Sequence, residues 1–542
     1  MQHSTDFSRA TMLQRLEREQ FDVVVVGAGI TGAGVALDAA SRGLKVALVE
    51  RDDFASGTSS KSSKMVHGGL RYLQQGEVRL VYEALCERQR LFRNAPHLVT
   101  VLPFMIPILT KDGVVSRKIA RALGSAMWMY DLTGGWRIGK LHRRLRKPAA
   151  VAHLPTMHTE RLASAYLYYD AAVDDARLVL TVCRTAASHG AVVANRCAFA
   201  GVQRAADGTV TGARVMADGR EITVATRAVV NAAGVWADDV QERAEGVHPD
   251  SIRPAKGVHL TVPWEKVQCD IAVVIPVPKD RRSLFLVPWG PRADGTFEYA
   301  YIGTTDTDFD GPIDDPQCTK ADIDYVLRAV NASLTTDVTE HDVIGVWSGL
   351  RPLVKRADSG RTADLSRTHS LRESEGVFTI TGGKLTTYRE MAQDTVDLVA
   401  GRLGHRARCR TKRLRLLGAT RRHTPDGSPE AHLAGRYGSL AEEVLALVAA
   451  DPALGGRLVD GLPTLRAEVV YAVRHEMATT VDDVLTRRTR ARLFDRGAAM
   501  RAAPVVAELM AAELGWATDE QQRQVDHFIA ECEREITAGA TA

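Results

Sequence analysis

The chain has no window of about 18 consecutive apolar residues, the length that a helix needs to cross a bilayer. The best candidate, Leu102 to Leu109 (LPFMIPIL), is short and twice broken by proline, so it reads as a buried strand or loop. Cysteine is sparse. Cys86, Cys183, Cys197, Cys269, Cys318, Cys409 and Cys532 lie scattered, with no C-x-x-C pair and no histidine cluster at ligand spacing. That argues against a metal site or a disulfide framework and suits reduced thiols in a cytosolic protein. An excess of one charge is also missing: 70 basic against 66 acidic residues leave a formal +4, too little to argue for a nucleic-acid partner. Met1 to Gln20 is polar and mixed in charge, without the apolar core of a secretory signal, so none is expected. What is present is an ordinary globular balance, 45% apolar and 25% charged over 542 residues, enough chain for two or three domains.

The chain is organised around FDVVVVGAGITGAGVALDAASRGLKVALVER, Phe21 to Arg51. The Val23–Val26 run is apolar throughout, as a parallel strand covered on both faces must be. Gly27, Gly29 and Gly32 form G-x-G-x-x-G: a tight turn, a close backbone approach to a pyrophosphate, and close helix-on-strand packing. The helix that follows aims its N-terminal N–H groups at the phosphates. Leu44 to Val49 makes the second strand, and Glu50 stands at its tip, where a carboxylate can accept both hydroxyls of an adenosine ribose. Spacing alone does not separate FAD from NAD.

After Glu50 and Arg51 comes a Ser/Thr/Gly/Lys-rich stretch, DDFASGTSSKSSKMVHGGLRYL, whose composition suits a loop laid along a polar ligand. Gly76 to Leu98 has the apolar spacing of a core-facing helix. Between Val115 and Pro148, Trp128, Met127, Met129 and Trp136 are interleaved with Arg117, Lys118, Arg121 and the cluster from Arg137 to Lys147. Such a pattern fits an anionic membrane surface, and equally an amphipathic core segment with solvated basic ends. ASAYLYYDAAVDDARLVL, Ala163 to Leu180, reads as an exposed strand entering a helix, and AVVNAAG, Ala228 to Gly234, as an apolar strand. His259 lies on a strand face in RPAKGVHLTV, where a lone histidine is ordinarily a core residue. GVWSGLRPLV puts Arg351 beside a Gly–Pro bracketed turn, and Arg367 follows. GVFTITGGKLTTYREMAQD repeats strand, paired glycines (Gly382, Gly383), Lys384, and a helix start with Thr386. Asp306-Thr-Asp308-Phe-Asp310-Gly311 imitates half a calcium loop but has Gln317 where the closing Glu belongs, and Pro312 after its glycine. Beyond Gly401 a basic linker leads to helical segments, among them Leu440–Ala449, Thr464–Glu476, Pro504–Leu514 and Glu520–Thr537.

Taken together, GAGITGAG, SGTSSKSSKMVHGGLRYL, NAAGVWAD, SGLRPL and TGGKLTTYR resemble the FAD-dependent, quinone-linked sn-glycerol-3-phosphate dehydrogenases, relatives of the glycine and D-amino-acid oxidases. The match runs, with interruptions, from Phe21 to about Val399, and less tightly beyond.

The resemblance implies an α/β fold: a discontinuous Rossmann-like FAD domain (20–75, 155–245 and 365–402), a mainly antiparallel-sheet substrate domain (76–154 and 246–364) and an all-helical C-terminal domain (403–542). FAD would be held non-covalently by Gly27, Gly29, Gly32, Glu50, Arg51, Thr58, Ser59, Ser62, Ser63, Lys64, Gly234, Trp236, Gly382, Gly383, Lys384 and Thr386. Arg71, Tyr72, His259, Arg351 and Arg367 would take glycerol 3-phosphate; His259 would be the base, with Arg351 and Lys384 also catalytic. Dianionic phosphate calls for the planar bidentate donors that arginine supplies. Electrons would pass to a membrane quinone from a cytoplasmic protein held peripherally on the inner face of the plasma membrane; a homodimer is one open arrangement. An oxygen-using oxidase and a membrane-docked FAD-binding protein without catalysis are the alternatives.

Overall fold

The computed structural model describes residues 7–540 except 71, 73–75, 110–116, 281, 356–368 and 421–426, and only the backbone of 117–123. The expected nucleotide unit forms as the Val23–Val26 strand, the Ile30–Ser41 helix and the Val46–Val49 strand. Both strands are wholly buried, since they lie inside a six-stranded sheet whose order is 370–374, 377–381, 229–231, 23–26, 46–49, 192–194. Pairing is parallel except between Ser370–Ser374 and Val377–Thr381. Four of these strands arrive from distant sequence, so the unit is assembled from discontinuous chain. The Ile30–Ser41 helix packs between the helices Asp175–Ser188 and Tyr388–Arg402. Gly34 lets Tyr388 in, because a Cβ there would stand 2.8 Å from the ring. A small four-stranded sheet (20–21, 220–226, 210–217, 197–204) flanks this unit.

The second large body is a ten-stranded sheet, antiparallel except where Ala272–Pro276 runs parallel to Val99–Leu109. Leu162–Val173 belongs to it, pairing in register from Val99↔Val173 to Leu109↔Leu162, although it falls within the 155–245 stretch expected in the FAD domain. Nor is this strand exposed, as its polar tyrosines and aspartate suggest. Nine of its twelve positions are buried, because Tyr168 stacks on Phe104 and Asp170 takes Arg88 and Tyr130. Arg351 also differs from expectation: it lies within a continuous strand, Gly345–Val354, antiparallel to Ile252–Pro263, with Pro352 opposite Pro254. Pairing across both prolines keeps the segment extended where the Gly–Pro pattern suggested a turn.

The remainder is helical: Pro429–Tyr437, Ala441–Ala450, Ala467–Glu476, Arg496–Leu514 and Thr518–Ala540. The fourth begins eight residues before Pro504, which lies inside the helix. The actual start is set by Asp495, whose side chain accepts from the Ala498 N–H.

Candidate active site

A cavity of about 380 Å³ runs from the Gly27–Ile30 turn to the Gly382–Lys384 turn, between the six-stranded and ten-stranded sheets. At its nucleotide end Gly27 has φ +97°, and a Cβ on it would press at 2.9 Å on Ala232 O. A Cβ on Gly32 would stand 1.9 Å from Gly27 O, so this third glycine packs helix against turn and does not itself line the cavity. Gly29 lines it, and the Ile30 N–H at the helix start donates to Ser59 Oγ at 2.9 Å. Glu50 also lines the cavity, with Oε2 accepting from Ala28 N–H at 2.7 Å and Oε1 from Asp52 N–H at 2.9 Å. Burial pushes its carboxyl up to about 7 against those two bonds. Arg51 lies 5.1 Å over the Trp236 ring, and both side chains donate to Asp314. Gly57 makes room for the indole, since a Cβ there would stand 2.8 Å from it.

The Ser/Lys-rich loop forms the long wall. Thr58, Ser59, Ser62 and Ser63 all line the cavity. Thr58 is fixed by its bond to Leu350 O at 2.5 Å, and Ser62 by Asp175 at 2.7 Å. Ser63 Oγ meets His259 Nε2 at 2.8 Å. Lys64 is different: it is fully buried behind the wall, 4.2 Å over the Trp347 ring and 3.6 Å from Asp175. Burial pulls its ammonium down to about 7, Arg490 adding to the effect. Lys64 has φ +54°, so the backbone turns between Ser63 and Lys64, and Lys64 supports the wall from behind.

At the far end the cavity is bounded by His259, Arg351, Tyr72, Gly382, Gly383, Lys384 and Thr386; Gly234 joins from the returning strand. His259 is 2% exposed, stacked on Trp347 with centroids 4.7 Å apart, and Nδ1 has no hydrogen-bond partner among the described residues. Its imidazolium is disfavoured first by burial, then by Lys64 and Arg351, so it stays neutral well below the usual range. A Cβ on Gly303 would stand 2.3 Å from this ring. Arg351 crosses Gly257 to donate to Asp306 and Thr304, each at 3.0 Å, and to Thr305 O at 3.2 Å. Asp306, part of the calcium-like string, thus steadies a guanidinium, and Asp308 pairs with Arg253 at 2.5 Å. Lys384 Nζ lies 3.6 Å over the Tyr72 ring. Arg71 and Arg367 lie outside the described residues.

His67 and Thr304 are among the wall residues that escaped the sequence reading. His67 lines the cavity with its backbone N–H donating to Thr386 Oγ1 at 3.2 Å; it opens the very HGGLRYL motif from which only the arginine and tyrosine were taken. Thr304, which positions Arg351, directly follows the Phe297–Gly303 strand and carries no signal beyond a threonine pair.

This donor set fits FAD: glycine turns at both ends, a carboxylate at the tip of the second strand, a hydroxyl-lined wall, and a lysine beside an aromatic ring at the opposite end. Comparison with known proteins agrees. Residues 22–398 match the family described as FAD dependent oxidoreductase, and residues 409–521 match the C-terminal domain of alpha-glycerophosphate oxidase. Glycerol-3-phosphate dehydrogenase 2 of Mycobacterium tuberculosis (strain ATCC 25618 / H37Rv) is 40% identical over 98% of this chain and 91% of its own. The glycerol-3-phosphate dehydrogenase of Mycobacterium leprae is 40% identical with the same coverage. The crystal structure of glycerol-3-phosphate dehydrogenase from Bacillus halodurans complexed with FAD superposes with a TM-score of 0.76, at 30% identity and 97% coverage of both chains. L-alpha-glycerophosphate oxidase of Mycoplasma pneumoniae, 16% identical with a TM-score of 0.54 over 72% of this chain and 97% of its own, shares the fold. The chain therefore belongs to the glycerol-3-phosphate dehydrogenase family of FAD-dependent oxidoreductases.

Proposed function

We propose that this protein oxidises sn-glycerol 3-phosphate to dihydroxyacetone phosphate and delivers the electrons to a membrane quinone. The observation that carries the proposal is the far wall of the cavity. It sets a cation tied in a fixed orientation (Arg351), a neutral buried imidazole (His259) and a lysine (Lys384) around one space. Bound FAD supplies the acceptor for the hydride of the C2 alcohol. Arg351, held by Asp306 and Thr304, presents its guanidinium to the phosphate, with Arg71 and Arg367 proposed as further donors. His259 with Ser63 accepts the hydroxyl proton; an imidazole already kept neutral is ready to act as base at pH 7. Lys384, 3.6 Å over the Tyr72 ring, would supply positive charge to the pyrimidine end of the bound flavin.

Support for quinone and membrane lies on one surface. The Arg117–Thr133 helix buries Met127 and Tyr130 and exposes Trp128, Met129 and Leu132; Trp136 and Leu141 beyond it, and Val78 and Tyr82 on the adjoining helix, are exposed as well. Arg137 lies over the rings of both Tyr82 and Trp136, and Arg143, Arg144, Arg146 and Lys147 are exposed. Among the described residues no helix is long and apolar enough to cross a membrane, so attachment would be through this face.

The test is anaerobic bleaching of the flavin against a substrate panel. Glycerol 3-phosphate should bleach it rapidly, glycerol only slowly and amino acids not at all, and a soluble quinone should restore the colour. Bleaching by an amino acid but not by glycerol 3-phosphate would overturn the assignment. The oxidase alternative, favoured by the name of the C-terminal match, predicts rapid oxygen consumption without quinone.

A further inference from the structure

A short stretch of the helical C-terminal region, 486–494, reaches across to the loop that walls the cavity. The π-turn Asp483–Arg488 leads through Arg490, in the left-handed conformation at φ +69°, into the short helix Ala491–Phe494. Three arginines project from it into the body of the protein. Arg487 Nε donates to Asp53 Oδ2 at 2.6 Å, and Arg488 grips both oxygens of the same carboxylate at 2.7 and 2.9 Å. Asp53 follows the ribose-binding carboxylate by three residues and is wholly buried. Arg490 Nη2 donates to Ser60 O at 2.5 Å and to Asp175 Oδ1 at 2.8 Å. The other oxygen of Asp175 accepts from the backbone and the hydroxyl of Ser62, at 3.0 and 2.7 Å.

Arg490, Asp175 and Lys64 are each at most 1% exposed, so none of these charges can be compensated by water if a partner leaves. The consequence for the loop is direct. Ser60 and Ser62 are pinned from behind, and their neighbours Ser59 and Ser63 face forward. Ser59 Oγ receives the first N–H of the nucleotide-binding helix, and Ser63 Oγ meets His259. Arg490 therefore has no contact with the reacting atoms, yet the two groups it holds fix the spacing between the pyrophosphate cradle and the imidazole.

We propose that Arg490 is a positioning residue that sets the conformation of the flavin-walling loop. FAD affinity thereby depends on a side chain of the helical C-terminal region, outside both sheets that enclose the cavity. The bonds to Ser60 O and Asp175 both leave from Nη2, while Nη1 donates to Thr486 O at 3.2 Å; a lysine keeps the charge but offers one compact donor head in place of the planar guanidinium, so it restores only part of the hold.

The experiment is titration of FAD into flavin-stripped full-length protein, read by flavin fluorescence, with thermal denaturation alongside. Arg490→Met should weaken FAD binding roughly tenfold or more, the effect of one lost charged hydrogen bond, and Arg490→Lys should fall between it and the wild type. Glu468→Gln controls for general loosening. Glu468 is buried and bonded to His432, Tyr437 and the Leu465 N–H, all within the helical region. It should lower the melting temperature without changing FAD affinity. If Arg490→Met does not fold, Arg490→Lys alone carries the comparison. Wild-type affinity in the arginine variants, or an equal loss in Glu468→Gln, would overturn the proposal. Neither readout depends on which substrate is oxidised.

Discussion

Arg351 makes the sharpest test of phosphate recognition, because the structure gives it two separable duties. Its side chain is 21% exposed and borders the cavity, while that of Asp306, whose carboxylate it holds at 3.0 Å, is 7% exposed. Arg351→Ala therefore removes a charge-assisted donor and also leaves a recessed anion beside the phosphate site. The first loss is about 1.5–3 kcal/mol, roughly ten- to a hundredfold in kcat/KM. For the second, two unit charges set roughly 8 Å apart at an effective dielectric of about 20 repel by on the order of 2 kcal/mol before screening, the scale expected of an uncovered Asp306 beside a bound phosphate. The single variant should thus lose more than a missing donor explains. Arg351→Ala with Asp306→Asn should recover part of that loss, a coupling that a double-mutant cycle isolates. The assay is anaerobic flavin reduction followed by stopped flow, with glycerol 3-phosphate and glycerol in parallel. Glycerol carries no phosphate, so its reduction rate should change little. Equal losses on the two substrates, or no recovery in the double variant, would refute the argument.

Four further outcomes are expected. His259→Asn should retain FAD and slow flavin reduction by roughly 10²–10⁴-fold; an unchanged rate would move the base elsewhere, with His67 and Arg351 next in line. In the wild type, burial together with Lys64 and Arg351 lowers the His259 pKa, so the acid limb of the reduction rate should lie below the ordinary histidine range; a limb centred at or above about pH 6.5 would contradict that. Glu50 is pushed up to about 7, so the cofactor-free protein takes up a proton as pH falls through that value, and FAD binding that uses the carboxylate should weaken below it. Glu50→Gln should bind FAD more weakly and without this pH dependence; a persisting dependence would assign it to another group. Neutralising Arg143, Arg144, Arg146 and Lys147 together should release the protein from anionic vesicles, at about 1 kcal/mol per cation, while dye-linked activity stays intact; undiminished sedimentation would place the membrane surface elsewhere.

What was legible in the sequence is what physics makes local. A four-valine strand, a glycine turn and an Ala/Gly-rich helix specify a parallel, two-side-covered unit within 31 residues, and the structure forms it as the periodicity predicts. Helices at the far end were legible too, because apolar spacing and caps are short-range signals. Leu162–Val173 was misjudged because its polar groups are satisfied only by partners from elsewhere: Asp170 needs Arg88 and Tyr130, 82 and 40 residues away. A burial pattern cannot be read from residues whose polarity is cancelled at that range.

The site divides along the same line. Motif residues on turns, such as Gly29, Gly382 and Thr386, line the cavity because the turn itself dictates where they face. In the Ser/Lys-rich loop composition is uniform, and only the finished packing decides that Ser63 faces His259 while Lys64 sits beneath Trp347. The element that settles this choice, Arg490, meets Ser60 across 430 residues of sequence, on a helical segment with no motif of its own. An arginine among the five of TRRTRARLFDR differs from its neighbours only by the carboxylate it meets. Arg487 and Arg488 meet Asp53, Arg490 meets Asp175, and Arg492 meets Asp482 and Glu535. Asp482 is local to the turn, but Asp53, Asp175 and Glu535 each lie on a distant element, so for those pairs the local sequence contains the charge and the fold supplies its purpose.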